Sequence, residues 1–264
     1  MSRTVSYTLL DPTGNVTILV KTPVPETAQP AIAAALLAVE PAGEQVGFLS
    51  PGGEGADLSL RMAGGEFCGN AAMCAAALYC LERGGRGGAV RVRVSGAAEP
   101  VTVRVEAQSE TCWACAEDMP RPAPPEIVTL ALDGQTFRLP MVRFDGICHL
   151  ILPGDTERGF AQRAVRAWCV ALDAPALGLM LLDADAGTMV PLVYVPGGDT
   201  LYWERSCASG TAAAGAYLAW KTGGRAEAAL AQPGGVLRVS AAPGGPIILR
   251  GGVRLAHVGA LSPK

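Results

Sequence analysis

The chain is short of charge. Asp, Glu, Lys and Arg make up 17% of its 264 residues, against roughly a quarter in an average soluble domain. The formal net charge is only -3, and no cluster of Lys and Arg stands out. Nucleic acid and anionic membrane are therefore set aside as main partners. Long apolar runs are missing too: the longest uncharged segments, such as 71–81, fall short of the roughly 18–20 residues that span a bilayer. The first residues, MSRTVSYTLL, lack the basic, apolar and small-residue order of a secretory signal, so a cytoplasmic protein is expected. Neither a P-loop nor a dinucleotide-binding fingerprint occurs, and the glycine-rich stretch 84–88 fits neither pattern.

Small and apolar residues are plentiful. Half of the chain is hydrophobic, with 33 Gly and eight Cys, enough for one large domain or two of ordinary size. Eight cysteines in a secreted chain would suggest a disulfide framework. Here several lie inside apolar runs, so reduced thiols are expected, most of them small core residues.

Self-similarity carries the most information. Cys68 opens an Ala-rich segment that is uncharged until its last turn and reaches a Gly-Gly pair sixteen positions later, at Gly84 and Gly85. Cys207 does the same, ending at Gly223 and Gly224. Ala, Leu and Met favour helix and neither segment holds Pro, so each predicts a helix starting at or just after its cysteine. Apolar residues on every face predict helices enclosed by protein. Arg83 and Lys221 suit the C-terminal dipole, and the glycines suit left-handed caps. Period-two alternation predicts strands over 90–94, 101–105, 236–239 and 247–249. The proline-rich residues 119–125 read as a linker.

The expectation is an α/β protein of two pseudo-symmetric domains, each a mostly antiparallel sheet wrapped around one buried helix. The first would span 1–118, joined by a last strand at about 253–264, and the second 119–252.

A cysteine at a helix N-terminus is a chemically specific arrangement. The free amides and positive dipole end stabilise a thiolate, and the same N–H groups can hold a carboxylate. Gly69 and Asn70 after the first cysteine, and Ala208, Ser209 and Gly210 after the second, leave those amides open. If the two halves face each other, one thiolate and one thiol flank a single small cleft. Inverting an amino acid at Cα needs just that: a base on one face and an acid on the other. Neither a metal nor pyridoxal is then required. Cys68 and Cys207 are the expected catalytic pair, set against the alternative that each is a core residue.

At these residues the chain resembles the diaminopimelate epimerase-like family, which includes proline and histidine racemases. Cys68-Gly69-Asn70-Ala71 is similar to its first cysteine motif and Cys207-Ala208-Ser209-Gly210 to its second. Thr13-Gly14-Asn15 resembles an N-terminal Gly-Asn element, and Gly146-Ile147-Cys148-His149 a Gly-Asn-Pro-His element. Trp203-Glu204-Arg205 resembles a Glu-Arg segment, and Gln232-Pro233-Gly234-Gly235 a late Pro-Gly-Gly turn. The resemblance implies two similar domains, thiol-based inversion at Cα without a cofactor, and a homodimer.

Some departures bear on the substrate. Ile147 replaces an asparagine, and residues 193–199 replace an Asn-rich segment. These losses remove partners for a second amino-acid end. Met62-Ala-Gly-Gly-Glu-Phe-Cys-Gly-Asn70 with Glu204-Arg-Ser-Cys207 looks more like the histidine racemases of opine-metallophore pathways. Histidine is the expected substrate, with diaminopimelate and proline as alternatives.

Further candidates are Asn15, Glu66, His149, Glu204 and Arg205 for substrate binding, along with Gly69, Asn70, Ala208 and Ser209. Glu66 and Glu204 could instead be ordinary first-turn carboxylates, and His149 a structural histidine. His257 reads as structural. Tyr194, Tyr202 and Trp203 could line a side-chain pocket. Cys112-Trp-Ala-Cys115 has redox or metal spacing but no second ligand pair. It supports the one alternative outside enzymology, a thiol redox or metal-binding protein.

Overall fold

The computed structural model describes residues 4–262. The chain forms two compact units. One comprises the residues up to Asp118 together with those from Arg250 onward, and the other is Met119–Leu249. The fold is mixed α/β and dominated by sheet. Among the described residues no helix is long and apolar enough to cross a membrane.

In chain order the first unit contains β1 (Val5–Asp11), β2 (Thr17–Val20), α1 (Gln29–Val39), β3 (Gln45–Pro51), β4 (Leu58–Met62), α2 (Gly69–Glu82), β5 (Gly87–Val94), β6 (Val101–Ala107) and β7 (Cys112–Asp118). The second contains β8 (Glu126–Leu132), β9 (Gln135–Phe144), β10 (Ile147–Pro153), α3 (Arg158–Ala171), β11 (Leu177–Asp183), β12 (Thr188–Val195), β13 (Thr200–Trp203), α4 (Ala208–Thr222), β14 (Ala226–Gln232) and β15 (Gly235–Ala241). The last strand, β16 (Ile247–Leu261), starts in the second unit and ends in the first.

Both units use one wiring scheme. In the first, β2 pairs parallel with β3 across α1, and β4 with β5 across α2. The β1–β2, β3–β4, β5–β6 and β6–β7 pairs are antiparallel. In the second, β10 pairs parallel with β11 across α3, and β12 with β14 across α4. The β8–β9, β9–β10, β11–β12 and β14–β15 pairs are antiparallel. The internal repeat thus extends well beyond the two cysteine helices, to crossover helices α1 and α3 that left no matching signature in the sequence.

Strand periodicity decides which side chains meet which helix. Along β10, Leu150 and Leu152 join the cluster holding Ala161, Val165 and Trp168 of α3. Ile151 faces the opposite way, packing with Met180, Met189 and Ala214 of α4. Helix α3 is amphipathic, burying Ala161, Ala164, Val165, Trp168 and Cys169 at spacings of three and four. Helices α2 and α4 are enclosed instead: every residue from Gly69 to Leu78 is buried. Alanines and glycines permit this approach, since a Cβ at Gly215 would lie 2.5 Å from Val239 Cγ2.

The strand expectations at 90–94, 101–105, 236–239 and 247–249 fall inside β5, β6, β15 and β16. Residues 119–125 carry no helix or strand. The expectation of full enclosure fails in the last helical turns. Tyr79 and Leu81 are only half-buried and Trp220 is exposed, so both helices emerge from the core before they end. There Arg83 stacks over Tyr79 at 4.2 Å, while Gly84 (φ 67°) and Gly223 (φ 69°) take the left-handed turn.

Candidate active site

Each sequence-marked cysteine is the N-cap of its helix. Cys68 has φ -136° and ψ 106° and receives the Ala71 amide on Sγ at 3.4 Å. Cys207 has φ -127° and ψ 112° and receives the Gly210 amide at 3.3 Å. The sulfur thus takes the place of the usual capping oxygen. The amides of Gly69 and Asn70, and of Ala208 and Ser209, belong to first turns that no intrahelical carbonyl can reach. All eight cysteines are free thiols.

Around half-buried Cys68 the first unit builds a polar chain. Cys68 Sγ donates to Gln45 Oε1 at 3.2 Å. Gln45 Nε2 donates to Asn15 Oδ1 at 2.7 Å and to Thr17 Oγ1 at 2.8 Å. Asn70 Nδ2 donates to the same Asn15 oxygen at 3.0 Å. Asn15 Nδ2 donates to Glu44 Oε2 at 2.9 Å. Asn15 is set by the turn after β1, where Thr13 (φ 62°) and Gly14 (φ 97°) are left-handed and Asp11 accepts the Gly14 amide at 2.6 Å. Cys74, further along α2, is fully buried. Burial pushes its thiol well up, with Cys115 and Cys68 adding to the rise.

The second unit surrounds Cys207 differently. Cys207 is buried. Burial pushes its thiol well up, and the Glu204 carboxylate pushes the same way by its charge and by accepting a hydrogen bond from the thiol; the Ser209 hydroxyl and the Gly210 amide pull it down. Ser209 Oγ lies 3.6 Å from Cys207 Sγ and 3.1 Å from His149 Nε2. His149 is fully buried, and burial lowers its imidazole from 6.5 to about 3, so the ring is neutral. Its Nδ1 is buried without a hydrogen-bond partner. It packs against β11 where Gly178 makes room: a Cβ there would lie 2.3 Å from Nδ1. The Cys207 backbone is pinned by its amide donating to Gln232 Oε1 at 2.9 Å, while Gln232 Nε2 donates to Thr211 Oγ1 at 2.9 Å.

Of the residues marked from sequence, Asn15, Cys68, Gly69 and Asn70 gather in the first unit, and His149, Glu204, Cys207, Ala208 and Ser209 in the second. Two are placed otherwise. Glu66 is exposed; its carbonyl accepts from Ser95 Oγ at 2.8 Å. Arg205 is exposed as well, and its carbonyl accepts the Gly234 amide at 2.7 Å.

The aromatic expectation is corrected at Tyr194 and Trp203. Tyr194 and Trp203 pack into the α3 cluster, and Tyr202 is exposed. Tyr194 and Trp203 therefore lie across the sheet from Cys207. Cys112 and Cys115 sit on extended β7, where residues three apart face opposite sides. Cys115 points inward, its thiol 4.0 Å from Met73 O and pushed up to about 12 chiefly by burial. That arrangement supports neither a redox pair nor a shared metal. His257 meets Glu40 Oε1 at 2.9 Å beside the Tyr7 hydroxyl, a structural contact. Gln45, Thr17 and Gln232 were not anticipated. The available signal was a polar residue interrupting or bounding an otherwise apolar strand.

A family model described as "Histidine racemase CntK N-terminal domain" matches residues 4–250. The histidine racemase of Staphylococcus aureus is 27% identical over 246 residues, covering 89% of this chain and 88% of that protein. A histidine racemase of Fusobacterium nucleatum is 31% identical over 199 residues, 74% of this chain and 72% of its own. Among solved structures, a probable proline racemase from Agrobacterium radiobacter shares the fold with a TM-score of 0.73 at 14% identity, covering 98% of this chain and 93% of that one.

Proposed function

The chain belongs to the histidine racemase family, and from that premise we propose that this amino-acid racemase inverts histidine at Cα with Cys68 and Cys207 as its acid–base pair. One observation carries the reading. The repeat places a cysteine sulfur, rather than a capping oxygen, at the start of each enclosed helix, with a backbone amide donated to each. In this reading each unit is a sheet wrapped about α2 or α4 in the manner of diaminopimelate epimerase, and the two thiols address opposite faces of one Cα.

The chemistry follows from the residues. A thiolate takes the α-proton on one face, forming S–H and leaving the electron pair on Cα. The other thiol then gives its proton to the opposite face. The substrate carboxylate rests against first-turn amides of the helices, whose dipoles favour the extra negative charge as the proton leaves. Glu204 accepts from the Cys207 thiol and is the group that can take its proton. No pyridoxal enters the sequence of steps. Histidine is favoured because the curated relatives named above are histidine racemases.

The test is deuterium entry at Cα in D2O, followed by mass spectrometry and chiral chromatography. L-Histidine should label and racemise, with a higher kcat/KM than L-proline or diaminopimelate. Cys68→Ser and Cys207→Ser should each lose about 10²–10⁴-fold, the usual worth of one general acid or base. Either variant racemising at near-normal rate would overturn the two-thiol mechanism. Faster turnover of diaminopimelate than histidine would overturn the substrate alone.

A further inference from the structure

On sequence alone His149 and Ser209 count among the groups that bind substrate. Their hydrogen bonds lead to Cys207 instead. His149 is fully buried on β10, with the Phe144 ring of β9 at 6.0 Å between centroids. A Cβ on residue 178 of β11 would lie 2.3 Å from Nδ1 and 2.9 Å from Cε1, so the ring occupies space that a side chain there would fill. Nδ1 has no hydrogen-bond partner, and Nε2 lies 3.1 Å from Ser209 Oγ. A neutral imidazole carries one N–H and one bare lone pair. Buried N–H groups are hardly ever left unpaired, and acceptors somewhat more often. The ring proton is thereby assigned to Nε2, which donates to the Ser209 hydroxyl.

With its oxygen receiving that N–H, the Ser209 hydroxyl still has its own proton to give. Cys207 Sγ lies 3.6 Å away. The sulfur carries one proton at most, and that proton is donated to the Glu204 carboxylate. Ser209 is therefore the donor in this contact and the sulfur the acceptor. The Gly210 amide donates to the same sulfur at 3.3 Å. A thiol gains little from two donors. A thiolate gains much, because hydrogen bonds made to a charged form favour that form. Burial and Glu204 keep Cys207 a thiol in the free enzyme, so the two donors matter once its proton has left.

We propose that His149 and Ser209 are positioning residues for Cys207: the Nε2–H of His149 turns the Ser209 hydroxyl so that its proton meets the sulfur whenever racemisation leaves it as a thiolate. The assignment rests on the two-thiol reading above. When Cys207 acts as the acid, its S–H bond breaks, the proton goes to Cα and the sulfur keeps the electron pair. Ser209 retains its proton on oxygen and shares it with that pair. In the reverse step the sulfur takes the α-proton, S–H forms and the hydroxyl contact weakens. Gly178 belongs to the same device, since the ring holds this pose only where β11 carries no side chain. Glu204, on the segment before α4, is the charged group acting on Cys207, and Arg205 beside it is exposed. His149 is the titratable group from β10 and is neutral. Strands β9 and β11 bring Phe144, Gly178 and Met180, which do not titrate.

The test is the pH dependence of iodoacetamide modification at Cys207 in the free enzyme, read by peptide mass spectrometry, beside kcat and KM for L-histidine. Ser209→Ala keeps the backbone amides and deletes the hydroxyl donor. The Cys207 inflection should move up by about one pH unit, which slows modification roughly tenfold at each pH below it. In the same variant kcat should fall with KM nearly unchanged. His149→Leu leaves the hydroxyl unoriented and should shift the inflection the same way by less. Ser209→Thr and His149→Gln each restore a donor in the required place and should return the inflection toward its starting value. An unmoved Cys207 profile in a folded Ser209→Ala protein overturns the proposal and leaves the two-thiol mechanism standing. So does a raised KM at unchanged kcat, which would put Ser209 on the substrate. Racemisation surviving in Cys207→Ser removes the mechanism itself, whatever the alkylation profile shows.

Discussion

Cys68 and Cys207 start their helices with backbone angles that differ by less than ten degrees in φ and in ψ, and each sulfur receives an amide three residues ahead. Their surroundings have little in common. Cys68 is half-buried against an amide chain ending at Glu44, and Cys207 is buried between a carboxylate, a hydroxyl and a neutral imidazole. The repeat has kept the helix start and changed the side chains that strands and loops bring to it. On the proposed two-thiol mechanism, one motif used twice would supply both acid and base, with the same backbone amide offered to either sulfur.

The largest expected effect comes from making the two surroundings alike. Glu204→Gln gives Cys207 a neutral amide neighbour, as Cys68 has. The Cys207 thiol then loses the carboxylate that accepts from it, and on the proposed mechanism kcat/KM for histidine should fall about 10²–10⁴-fold. Because Glu204 raises the Cys207 thiol, the alkylation inflection at Cys207 should move down in the same variant. Activity and thiolate content would move in opposite directions. A fall in activity with an unchanged Cys207 inflection would mean that Glu204 acts elsewhere.

The units should also differ in their response to pH. The first buries Glu117 on β7, with neither carboxyl oxygen hydrogen-bonded and burial raising it far above the usual range. A raised folded pKa gives stability that is present below the unfolded value, about 4.3, and lost as pH climbs through the folded value. The second unit buries His149, lowered to about 3. A lowered folded pKa gives stability present above the unfolded 6.5 and lost as pH falls toward 3. Each contributes a slope of about 1.4 kcal/mol per pH unit inside its window. Denaturant melts between pH 4 and pH 9 should show Glu117→Gln stabilising the protein at alkaline pH and not at pH 4, with the acid limb untouched. A uniform shift at every pH would show that Glu117 is not neutral in the fold.

The smallest effect is expected at Cys112. Half-buried, and on the face of β7 opposite Cys115, it should tolerate Cys112→Ala with stability changed by no more than about 0.5 kcal/mol and racemisation unaltered. Loss of racemisation would restore a role for the Cys-X-X-Cys spacing.

The sequence made the two enclosed helices plain because a cysteine, an uncharged alanine run and a Gly-Gly pair recur at equal spacing. It also made the catalytic candidates plain, because a helix start is a local feature. The partners of those cysteines were not legible. Gln45 reaches Cys68 from a strand twenty-three residues earlier, and no local pattern distinguishes it from an ordinary strand-end glutamine. Tyr194 and Trp203 looked close to Cys207 because proximity along the chain was read as proximity in space. Strand alternation sends both to the α3 side instead. Crossover helices α1 and α3 escaped notice because they share a place in the wiring rather than a residue pattern.

The order of the chain has a consequence for biosynthesis. Residues 254–261 of β16 pair with β1 from Val5↔Leu261 to Asp11↔Arg254, so β1 finds one of its neighbours only once residue 261 has been made. The second unit, Met119–Leu249, is contiguous and can be completed first. On the ribosome, domains usually finish in order from the N-terminus; here the C-terminal portion is ready while the nascent N-terminal portion still shows the outer edge of β1. Until residues 254–261 have emerged, that edge is open to mispairing with another chain, and a polypeptide cut before residue 254 would lose this strand neighbour of β1.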